Sequence, residues 1–141
     1  MNSSVKVIFN SPLELGTRCS LILIALEKRF SLDDLVLLDY ALLYSNDFGG
    51  PENLHPALPN HIAEIGHRRE FLPESLVFFS KRGLISAHIE ETGYYYSANN
   101  QTLQFVSCLK SEYYRKCWVR LSWLIDNYKY ILEKSFPTFN G

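Results

Sequence analysis

The chain has 141 residues, 47% hydrophobic and 14% aromatic, enough for one buried core and too apolar for a disordered segment. Its formal charge of -1 lacks the basic excess usual in a general nucleic-acid binder. Cys19, Cys108 and Cys117 are odd in number and lack metal-ligand spacing, so reduced, mostly buried thiols in a cytoplasmic protein are expected. Charge is uneven along the chain: residues 1–57 are net acidic and residues 110–141 net basic.

Val5 to Phe9 suggest a short extended segment or an unanchored arm. No basic stretch precedes a long apolar run, so no signal peptide is expected. Leu21 to Leu26, the longest apolar run, is far too short to span a bilayer. Ser11-Pro12-Leu13-Glu14 starts a helix, with Ser11 as cap and Pro12 in the first turn. Leu15, Cys19, Ile22, Leu23 and Leu26 give it one apolar stripe to about Arg29. Ser31 caps a second helix, about Leu32 to Ser45, that is apolar nearly all round and so belongs at the centre of a core or under a partner. Asp39 is the exception in that helix. It reads either as an edge or locally hydrogen-bonded acid, or as a contact at a subunit interface.

Asn46 to Pro51 breaks the helix with turn formers around Phe48, and residues 52–60 suggest an ordered loop. Asn60 to Gly66 predicts a short helix. Pro73 then sits in the first turn of the next helix or kinks it. Leu72, Leu76 and Phe79 keep helical spacing, and Gly83 offers the left-handed stop. Leu84 to Glu90 and Tyr94 to Tyr96 flank Glu91-Thr92-Gly93 as a hairpin. Asn99 or Asn100 caps a short helix, and Ser111 begins a last one of roughly 24 residues. Tyr114, Trp118, Leu121, Ile125, Tyr128 and Leu132 form a stripe on it, either core or a partly exposed seat for a partner helix or second copy. Pro137 ends that order.

The fold class expected is mainly α with a small β-hairpin: one winged helix-turn-helix-like domain over 1–141 with a long C-terminal helix. Its core spans 11–98 with the wing at 84–98, and C-terminal helices occupy 99–136. Such an outline binds either DNA or protein, so it does not settle function.

A motif narrows the choice. Leu38-Asp39-Tyr40, Asp47-Phe48-Gly49-Gly50-Pro51, Leu54-His55-Pro56 and Pro59 resemble the signature of the middle component of bacterial ABC-three-component systems, which include Lamassu-type antiphage defence. Ser11 to Gly16, Arg68-Arg69-Glu70 and Lys81 to Leu84 fit the same pattern. The resemblance implies a non-catalytic accessory subunit. Its partners would be an SMC-like ABC ATPase and an effector, nuclease-like or protease-like.

The residues show no catalytic arrangement. His61 and His67 are six apart on a helix and face different ways, so no metal site is expected. Gly49-Gly50-Pro51 lacks the lysine and following helix of a phosphate loop. No serine or cysteine has an identifiable histidine base. No enzyme, cofactor, small-molecule substrate or membrane partner is expected. Weak DNA contact within the complex would use Arg68, Arg69, Lys81 and Arg82, although Glu64, Glu70 and Glu74 interrupt them and the wing tip is acidic. The alternative is a winged-helix transcriptional regulator. Partner contacts are expected at Asp39, Tyr40, Asp47, Phe48, Gly49, Pro51 and His55, with Phe48 as anchor.

Overall fold

The structure is a computed structural model that describes residues 11–56 and 61–134. Helix α1, Pro12–Leu26, begins where predicted. The Ser11 hydroxyl accepts from the Glu14 amide, and Pro12 occupies the first turn. Strand β1, Phe30–Ser31, follows, and Ser31 then caps α2, Leu32–Leu43, in a reciprocal box with Asp34. A 3-10 turn, Ser45–Phe48, ends in Gly49 at φ 77. Helix α3 is His61–Lys81, strands β2 and β3 are Ser86–Glu90 and Gly93–Ser97, and α4 is Asn100–Ser107. Asn99 caps α4, closing a box with Thr102. Helix α5, Glu112–Lys134, is 23 residues long.

The expected mainly helical fold with a small hairpin and a long last helix is present, with two differences. The hairpin has a third strand: β1 pairs with β3 through Phe30 and Tyr96, giving the antiparallel order β1-β3-β2. Two residues carry no readable alternation, so this strand had no sequence signal. Second, one helix runs through Pro73, where the sequence allowed either the first turn of a new helix or a kink. Proline at that point leaves the Arg69 carbonyl without its helical donor. Packing overrides this, because Leu72, Leu76 and Phe79 on the same face are all fully buried. The segment at Val5 to Phe9, Asn60 and the stop at Pro137 lie outside the described residues.

Helix α2 is the centre. Every residue from Leu35 to Tyr44 is buried, because α1, α3 and α5 all pack against it. The crossing of α1 and α3 is close. A β-carbon on Gly16 would collide with the ring of the buried Phe79, and the Ser75 hydroxyl donates to the Pro12 carbonyl. Helix α5 divides its apolar stripe. Cys117, Leu121, Leu124 and Ile131 enter the core, while Trp118 and Ile125 stay about half exposed. Cys19 is also buried and Cys108 exposed, and all three thiols are free.

Candidate functional site

Asp39, Tyr40, His55 and Arg68 of the signature gather around a buried ionic cluster. Arg18 of α1, Asp39 of α2 and Arg68 of α3 each point from the apolar face of their own helix into the same space, and all three are 0% exposed. Arg18 grips the carboxylate with two bonds, Nε to Oδ1 at 2.8 Å and Nη2 to Oδ2 at 2.9 Å. Arg68 Nε donates to Oδ2 at 2.8 Å, and its Nη1 reaches the Glu64 carboxylate at 3.0 Å. Two cations thus meet two anions. Burial by itself would raise the Asp39 pKa; the two guanidiniums outweigh it and hold the carboxyl below the usual range.

A second layer extends the cluster. Arg18 Nη1 donates to the Tyr113 hydroxyl of α5 at 3.0 Å, and that hydroxyl lies 3.1 Å from His55 Nε2. Burial and the nearby Arg18 push the His55 pKa down to about 4, so the imidazole is neutral near neutral pH. Burial drives the Cys19 thiol well up and the Cys117 thiol up to about 12, so neither is a ready nucleophile.

The aromatic loop folds back onto the same centre. The Tyr40 hydroxyl donates to Asp47, and the rings of Tyr40 and Phe48 meet edge-on at 6.1 Å. Gly50 lies flat against the Trp123 indole, where a β-carbon would clash. Arg120 of α5 donates to the Ser45 hydroxyl.

Several expected site residues therefore stand elsewhere than anticipated. Asp39 is no edge residue: it is fully enclosed with two arginines, because a carboxylate on the inner face of a central helix must be paired there. Tyr40 is buried, and Phe48 and His55 are half-buried. Only Asp47, Gly49 and Pro51 of that set are exposed. Among the four proposed DNA contacts, Arg68 is enclosed and cannot reach a phosphate. Arg69, Lys81 and Arg82 are exposed, Arg69 beside Asp33 at 3.4 Å and Arg82 over the Phe78 ring.

Arg18, Tyr113 and Trp123 were missed. Arg18 had a signal. It lies three residues after Leu15 and four before Ile22, a cation on an apolar stripe that matches Asp39 in kind. Tyr113 and Trp123 had none, since their roles arise from distant segments.

What these elements define is a mainly helical domain whose distinctive polar residues are spent on internal architecture. Residues 8–139 match the family described as ABC-three component (ABC-3C) system Middle Component 2, and the chain belongs to that family. The resemblance to a middle component read from the sequence therefore holds. No curated protein and no solved structure matches the chain.

Proposed function

We propose that this middle component is a non-catalytic, cytoplasmic accessory subunit that joins an SMC-like ABC ATPase to an effector in prokaryotic antiviral defence. Family membership across residues 8–139 carries the reading. The structure supports it in two ways. The densest set of charged groups is closed to any substrate, at 0% exposure for Arg18, Asp39 and Arg68. Large apolar side chains meanwhile remain on the surface, with Trp118 and Ile125 on α5 and the cross-strand pair Ile89 and Tyr94 on the wing. Of the expected partner contacts, Asp47, Gly49 and Pro51 are the ones open to a partner.

A DNA-binding regulator is the second reading. It is favoured by the succession helix, strand, two helices and hairpin with sheet order β1-β3-β2, which suits a winged helix. The outer face of α3 weighs against it, since Glu70, Glu74, Val77 and Phe78 are exposed there, and the two carboxylates repel phosphates. Co-expression with the other two components of its system tests both readings. The accessory subunit is expected to co-purify with them. A free homodimer that shifts a short duplex at moderate salt would overturn that reading.

A further inference from the structure

Helices α4 and α5 meet through a short link and leave a groove of about 290 Å³ between them. Leu21, Leu103, Val106, Leu109, Tyr114 and Trp118 make its floor. Leu103 is 52% exposed and Trp118 49%, so the floor is open on the solvent side. Tyr114 and Trp118 are four apart on α5, and Leu103 and Val106 are three apart on α4. Such rows are the ridges against which a third helix packs.

Lys110 and Arg115 stand at the rim, and among the described residues no Asp or Glu lines the groove. Both cations are exposed and neither forms an ion pair among the described residues. This basic rim lies in the C-terminal part of the chain, residues 110–141, which is net positive. We propose that the groove receives an acidic amphipathic helix of a partner subunit, its apolar face on Trp118 and Leu103 and its carboxylates beside Lys110 and Arg115. The inference rests on the accessory-subunit reading and adds the chemistry of the contact.

Charge complementarity decides among occupants. A second copy would bring the same two cations against each other, which is repulsive across an apolar contact. Nucleic acid would be drawn to the rim but has no use for a floor of leucine, valine and tryptophan. An acidic helix satisfies both parts.

The test uses the full chain co-expressed with the other two components. A photoreactive p-benzoylphenylalanine in place of Leu103 is expected to crosslink to a helical, acid-rich segment of one of them. The double variant Lys110→Glu, Arg115→Glu is expected to weaken capture about tenfold or more while melting like the wild type, and reversal of the partner's acids is expected to restore it. A crosslink to a second copy, to nucleic acid or to a segment without acids would overturn the proposal. So would capture unchanged by charge reversal, or a photoprobe that crosslinks to nothing within an intact complex. In each of these cases the wild type still co-purifies, so the groove assignment fails and the accessory role survives. If the wild type captures neither component, both fall together.

Discussion

Asp39 shows what one residue does here. Its carboxylate is shared by Arg18 and Arg68, both without access to water. Asp39→Asn would strand two buried cations against a neutral amide. Breaking a buried pair in this way costs about 3–5 kcal/mol, so the variant is expected to melt far below the wild type. An Asp39→Asn protein that keeps its melting temperature and loses only its partners would show that the carboxylate faces outward. Acidity probes the same atoms. The folded Asp39 pKa is depressed, so the stability it contributes is present above about pH 4, the unfolded value, and is lost as pH falls through the folded one.

His55 acts earlier on the way down. Its folded pKa of about 4 lies below the ordinary value near 6.5, so between those limits the unfolded chain binds the extra proton. Stability should therefore fall from pH 6.5 to 4.5 by about 1–2 kcal/mol from this group, allowing for its partial exposure. Urea midpoints at the two pH values measure it. His55→Asn should flatten that part of the slope, whatever it does to stability at pH 7. An equal slope in the variant would assign the effect elsewhere.

At the scale of elements, the termini of the helices were legible and their neighbours were not. Ser11, Ser31 and Asn99 each cap where their side-chain chemistry dictates, and each forms the local bond expected of it. The α3 helix is different. Pro73 argues locally for a boundary, but Ile65, Arg68, Leu72, Leu76 and Phe79 share one inward face, and that longer pattern wins. Arg68 interrupts the pattern by type and belongs to it by position, so read alone it suggests a surface cation. The ionic cluster could be read from sequence only by noting that Arg18, Asp39 and Arg68 each occupy the core position of a different helix. Which charge meets which is fixed by how the helices cross, and no local spacing encodes that.

Gly16 tests the crossing of α1 and α3. Helix propensity favours alanine over glycine by about 1 kcal/mol in a helix interior. Packing opposes it, because the added methyl would enter the buried Phe79 ring and the helices would have to part. Overpacking of a close-packed contact costs about 1–3 kcal/mol, so packing is expected to win and Gly16→Ala to lower the urea midpoint. A higher midpoint would mean that the helices can separate at little cost.

Across the whole molecule, the inner and outer layers have different tasks. The inner layer ties α1, α2, α3, α5 and the aromatic loop through Arg18, Asp39, Arg68, Tyr113 and His55. Arg18, Asp39 and Arg68 cannot be exposed one at a time without breaking their shared bonds, so this centre should open only as a unit. The outer layer is the basic groove between α4 and α5 and the wing, where α4 has eight residues and only Thr102 fully buried. Hydrogen exchange separates the two. Amides of α2 from Val36 to Leu42 are expected to exchange only through global unfolding, and to slow no further when the other components bind. Amides of α4 and the first turns of α5 are expected to exchange through smaller openings in the free chain and to gain protection in the complex. If α2 gained protection while α4 did not, the partner would be reaching the ionic centre itself, and the division between a sealed scaffold and a docking surface would be wrong.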